Sequence, residues 1–256
     1  MYKALFELSP DRADFISRVF SRKRPSGLDA NSSVKALFDA YQAVETDPRF
    51  YEENLLTVTS HLVIQHRFQL SDSDKASLAR IMSTLRLAGP NALKGQGDPR
   101  NPTYAQLMAA TNLAGSNQSY LASEENFRKV QELEKRNLIV PLEGDFAGNK
   151  TIVSVGRYLK EHSATVNVFY VSNVERYLFD QGAHGKQFYA NLETLPMDSS
   201  STFIRSVTRD ISRRLGIPIP DGATNWWSFL SSIRECLKAF ADGRIQTYRE
   251  LFEVGR

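Results

Sequence analysis

A single cysteine, Cys236, leaves this 256-residue chain no partner for an internal disulfide, a composition that suits a reducing compartment. Its surroundings, WSFLSSIRECLKAF, have helical apolar spacing, so Cys236 reads as a small buried hydrophobe rather than a reactive thiol. No apolar run approaches the ~20 residues of a membrane-spanning helix, and the N-terminus has no secretory pattern. The expectation is a soluble, cytoplasmic protein with no membrane partner. Excess charge is also scarce. With 32 Lys and Arg against 29 Asp and Glu, the net charge of +3 is too mild to point to nucleic acid. There are four histidines and neither CxxC nor HxxxH, so no metal-ligand spacing is seen. His61 and His66, five apart, fall on different faces of an α-helix and read as partly buried polar residues. GxSxG, P-loop and GxGxxG motifs are missing as well, which leaves the chain without a glycine-rich phosphate cradle of its own.

What is present is ordinary globular composition, 41% hydrophobic and 24% charged, enough to bury a sizeable core. The informative stretch is NLIVPLEGDFAGNKTIVSVGRYLKEHSATVNVFYVSNVERYL, residues 137–178. Two short apolar runs, Leu138–Leu142 and Val166–Val171, flank a segment in which Ile152, Val155 and Leu159 recur at helical spacing. Gly156 gives room for close approach on the same side. This spacing predicts strand–helix–strand with parallel strands. Ligands of such sheets collect beyond the carboxyl ends of the strands, where GDFAG and SNVE fall. Upstream, the pattern is helical: MYKALFEL, a second helix opened by Ser9-Pro10, then helices over about 33–44, 51–66 and 73–87. Gly89 to Thr103 reads as a hinge or loop. Ser123 starts a further helix through Phe127, Val130 and Leu133. SSSTFIRSV reads as a third strand, LGIPIPDGATN as a loop, and Trp226 to about Val254 as a final helical region.

Chemistry then rests on polar residues at strand ends. Asp145 could orient a ligand or act as a base, or bond the amides of the helix it precedes. Ser172, Asn173 and Glu175 follow the second strand, and one of the first two reads as a helix cap. Arg205 lies within the third strand, where a charge facing the sheet interior needs a partner; Glu175 and Asp145 are both candidates. Arg205, Arg209, Arg213 and Arg214 read as one solvated face rather than a nucleic-acid surface.

GDFAG, VGRYLKEH, FYVSNVERYLF and SSTFIR, with SYLASEENF upstream, resemble a widespread bacterial family of uncharacterised proteins with a Rossmann-like fold similar to S-adenosylmethionine-dependent methyltransferases. The likeness covers essentially the whole chain. It implies one α/β domain over residues 1–256, with a mostly parallel sheet and a helical insertion over 32–90. Residues 91–256 form the remaining Rossmann-like part. It also implies S-adenosylmethionine as cofactor and a small-molecule substrate, and the strand-end positions then make Asp145 and Glu175 the candidate catalytic residues and Gly144, Asp145, Phe146, Ser172 and Asn173 the candidate cofactor-binding residues. Members of that family carry a glycine-containing strand–turn and a second strand ending in an acidic residue ahead of the stretch matching Met1. Without those leading strands, tight cofactor binding is not expected of this chain. The alternative is a non-catalytic binding or regulatory protein.

Overall fold

The computed structural model describes residues 1–93, 101–112, 114–221 and 225–254. They form two compact units, Met1–Val140 and Pro141–Arg256.

The first unit is helical, with α1 (Tyr2–Leu8), α2 (Arg12–Phe20), α3 (Val34–Gln42), α4 (Pro48–Ser60), α5 (Asp72–Ala88), α6 (Tyr104–Ala109) and α7 (Glu124–Lys135). Short polar side chains start most of them. Ser33, Asp47 and Ser123 each accept a bond from a first-turn amide, and Ser71 with Asp74 and Thr103 with Gln106 form reciprocal capping boxes. Each such cap contributes about 1 kcal/mol. The second helix starts later than Ser9-Pro10 suggests. Asp11 caps it by accepting from the Asp14 amide at 2.7 Å, while Ser9 turns back to donate to the Leu5 carbonyl. The core is aromatic: Phe6, Phe15 and Phe127 lie fully inside with ring centroids 4.4 to 5.5 Å apart. Of the 89–103 loop, residues 94–100 lie outside the described residues.

The second unit holds α8 (Thr151–Glu161), β1 (Val168–Ser172), α9 (Val174–Asp180), α10 (His184–Leu192), β2 (Thr202–Thr208), α11 (Arg209–Leu215), β3 (Trp226–Ser232) and α12 (Ile233–Ala241). The strands make one sheet in the order β1-β2-β3, with β1 parallel to β2 and β2 antiparallel to β3. Residues 222–224 of the loop before β3 lie outside the described residues.

This overturns the expected mostly parallel, Rossmann-like sheet. Helix dominates, and the described residues contain one mixed sheet with a single parallel pair. Two misreadings explain the difference. Leu138–Leu142 forms no strand. Pro141 lacks the N–H a ladder needs, and Leu138, Val140 and Leu142 are more than half exposed. Helix α8 is therefore not a crossover between two strands. Trp226–Ser232, expected as helix, is a strand paired along its length from Thr208↔Trp226 to Thr202↔Ser232. Its alternation places Phe229 and Ser231 inward, and the helix begins only at Ile233, capped by Ser232. Gly156 does sit at a close approach, but not against a sheet. A Cβ there would lie 2.8 Å from the backbone oxygen of Thr194.

Candidate functional site

In the second unit the expected site residues are built into the structure around them. Asp145 lies in a loop rather than after a strand, and its Oδ1 accepts from the Ala147 amide at 2.9 Å. That loop is fixed from α10, where Asn191 Nδ2 donates to the carbonyls of Phe146 at 2.9 Å and Gly148 at 2.7 Å. Phe146 stacks on Phe188 and meets Phe169 of β1 edge-on. At Gly144 a Cβ would overlap the Thr151 hydroxyl. At the end of β1, Ser172 holds a left-handed backbone, φ 54°, where the register with β2 shifts. Asn173 sits at the start of α9 without a side-chain cap bond.

Glu175 is 1% exposed. Its Oε2 accepts from Arg205 Nε at 2.5 Å, and its Oε1 accepts from Arg205 Nη2 at 3.0 Å and from the Tyr189 hydroxyl at 2.8 Å. Arg205 also bonds the Ser231 hydroxyl and approaches Cys236 Sγ at 3.7 Å. Of the two partners considered for Arg205, the structure selects Glu175. Burial alone would lower the Arg205 pKa, but the Glu175 carboxylate outweighs it and holds the guanidinium charged. Burial, reinforced by Glu175, pushes Tyr189 well above its ordinary value, so it stays a neutral donor. Asp145 and Glu175 thus each bond elsewhere. The first closes a loop, and the second neutralises a buried cation.

Tyr189 also backs the wall of an open feature. Its ring stacks on Phe240 of α12 at 4.4 Å and 9°, and Phe240 with Phe179 walls a cleft of about 490 Å³. The cleft is further lined by Gly185, Lys186 and Gln246. Lys186 is exposed and belongs to the first turn of α10, whose N-cap is Ala183 and carries no side-chain cap. A lysine in the first turn of a helix that no side chain caps makes that rim electropositive. No sequence motif marks it, because its residues come from three helices, α9, α10 and α12, and from the turns after α9 and α12.

The first unit contains a cluster that linear spacing concealed. His61 Nε2 and His66 Nε2 both donate to Oε2 of Glu7, at 2.7 and 2.5 Å, while Lys3 Nζ donates to Oε1 at 2.9 Å. Each histidine keeps about a fifth of its side chain exposed. Burial raises the Glu7 pKa, but hydrogen bonds from His61, Lys3 and His66 together outweigh it and hold the group below its ordinary value. The convergence depends on a π-helical turn, His61–Gln65, that continues α4. Bonds in such a turn run from i to i+5, which brings residues five apart onto one side. Assuming α-helical geometry throughout separated the two histidines.

No helix among the described residues is long and apolar enough to cross a membrane. Residues 1–250 match a family described as a domain of unknown function, DUF7790, and the chain belongs to that family. No curated protein matches it.

Proposed function

We propose that this protein works by binding a small anionic molecule, without chemical turnover, in the cleft between α10 and α12 of the second unit. The observation that carries this reading is the cleft itself. Its volume, about 490 Å³, falls in the range of small-molecule sites. Its walls are the aromatic rings of Phe179 and Phe240, and its rim carries Lys186 on an N-terminal helical turn with no side-chain cap. Apolar walls bury a ligand's body, and the cation with the helix terminus favours an anionic group. The wall is also rigid. Tyr189, stacked on Phe240, is anchored by its hydroxyl to the Glu175–Arg205 pair.

The absence of turnover is supported by the fate of the strongest acid candidate. A general acid or base must reach the proton it moves, and both oxygens of Glu175 are occupied within the core. The test is a thermal-shift and equilibrium-dialysis screen of the full chain with inorganic phosphate, citrate, adenosine monophosphate and S-adenosylmethionine. At least one anion is expected to bind and to raise the melting temperature, and Lys186→Glu is expected to abolish the effect. Identical responses in wild type and Lys186→Glu, or methyl transfer from S-adenosylmethionine, would contradict the reading.

A further inference from the structure

We propose that Glu7, His61 and His66 form a binding site for one first-row divalent cation of the zinc type. The inference is independent of the anion cleft, because it rests on the first unit alone.

Three donor atoms, two imidazole Nε2 and one carboxylate Oε2, already face one point and lie within 4.8 Å of one another. Zinc bonds imidazole nitrogen at about 2.0–2.1 Å and carboxylate oxygen at about 2.0–2.2 Å. Tetrahedral bonds of that length separate neighbouring donors by about 3.3 Å. The observed nitrogen–oxygen separations of 2.7 and 2.5 Å therefore need to open by about 0.6 and 0.8 Å. Each imidazole would move its proton from Nε2 to Nδ1, turning a donor toward Glu7 into a lone pair toward the cation. Glu7, on a three-torsion side chain, supplies the remaining adjustment.

The surroundings fit a ligand set. Lys3 Nζ bridges Glu7 Oε1 and the Glu134 carbonyl. It thereby fixes the carboxylate through one oxygen and leaves the other for a single bond to the cation. Outer partners of this kind orient metal ligands. His66 stacks on Phe68 at 5.9 Å and 29°, which restrains the second imidazole. The backbone is shaped for the arrangement as well. After the π turn, Arg67 takes a left-handed conformation, φ 55°, and the Phe68 amide returns to the Leu62 carbonyl. A non-glycine residue in that region is strained, and such strain clusters at functional sites. π turns do the same.

Donor chemistry sets the class of ion. Two imidazoles and one carboxylate suit zinc, nickel, cobalt or copper far better than magnesium or calcium, which take oxygen-rich shells. Three protein ligands leave a fourth position for water or a small anion, and the partial exposure of both histidines gives access to it. The other two histidines supply an internal control. His162 bonds the Tyr158 carbonyl, and His184 bonds the Gln181 amide oxygen.

The experiment uses the full chain, stripped with chelator and titrated with Zn²⁺ against a competing fluorescent chelator. Co²⁺ is added separately as a spectroscopic probe, and Mg²⁺ as a counter-ion control. Wild type and His162→Gln/His184→Gln are expected to bind one Zn²⁺ per chain and to give the intense visible bands of four-coordinate Co²⁺. His66→Gln and Glu7→Gln are expected to weaken Zn²⁺ by about 100-fold or more. Circular dichroism checks that the variants fold. Should they not, nitrogen-detected NMR of the wild-type imidazoles decides, with Zn²⁺ shifting Nε2 of His61 and His66 alone. A featureless Co²⁺ spectrum, with Zn²⁺ retention equal in wild type and variants or unshifted His61 and His66 resonances, would overturn the proposal and leave a hydrogen-bonded cluster only.

Discussion

Arg205 on β2 and Glu175 at the start of α9 make a two-point ion pair, Nε to Oε2 at 2.5 Å and Nη2 to Oε1 at 3.0 Å, with both side chains within 1% of complete burial. The pair ties the parallel half of the sheet to the helix that leaves β1, and Tyr189 adds a third bond from α10. A buried pair of this kind contributes little compared with a well-packed apolar replacement. Removing one partner alone strands the other charge and costs about 3–5 kcal/mol. Arg205→Met should therefore lower stability by that amount in urea denaturation. Arg205→Met with Glu175→Leu should recover the part of the loss due to the stranded charge, leaving the penalty for the Tyr189 hydroxyl, about 1–3 kcal/mol. Equal destabilisation in the single and double variants would show that the pair is not coupled as described.

Asp11 links a cap to pH. Burial raises its pKa, but the Asp14 amide and the Arg24 guanidinium outweigh that and hold it below the ordinary 3.8. A carboxyl with a depressed folded-state pKa stabilises the fold above its unfolded value, and the contribution fades as pH falls through the folded one. Asp11→Ala should cost about 1 kcal/mol at pH 7. The difference from wild type should shrink as pH is taken below 3.8. Denaturation curves at pH 7, 5 and 3 check this, and a difference that stays constant would remove the ionised cap from the account.

Gly156 is required by a neighbour rather than by its own backbone. A Cβ would come within 2.8 Å of the Thr194 carbonyl oxygen, and backbone there cannot swing aside as a side-chain tip can. Gly156→Leu should destabilise by about 1–3 kcal/mol, as overpacking does. The measurement is the melting temperature of the second unit's transition, and an unchanged value would contradict the close approach of α8 to the turn after α10.

Much of the helical half was legible because its signals are local. The caps at Ser33, Ser71 and Ser123 lie within a few residues of the turns they set, and the observed helices begin there, whereas α4 begins at Pro48, ahead of the expected start near 51. The sheet was harder, because strand pairing is a long-range property. LIVPL has strand composition, yet Pro141 interrupts it and no neighbour pairs with it. Trp226–Ser232 was masked by the amphipathic helix that follows without a break. In β2, Phe203, Arg205 and Val207 share the inner face. Ile204 on the other face blurred the alternation, so only the structure placed Arg205 inward. The site residues followed the same division. Asp145 bonds a local amide, but that of Ala147 in its own loop rather than one of the helix it precedes, which starts at Thr151 with no side-chain cap. The Glu7–His61–His66 convergence required a π turn, which no residue pattern in α4 announces.

Binding without turnover in the Lys186 cleft is tested most directly by residue-resolved NMR of the full chain titrated with the best-binding anion of the screen. The account predicts that amide shifts centre on Gly182, Gly185, Lys186, Gly243 and Gln246, which line the cleft, saturate at one ligand per chain and vanish in Lys186→Glu. Shifts centred elsewhere in the chain, or the anion recovered chemically altered after incubation, would contradict it.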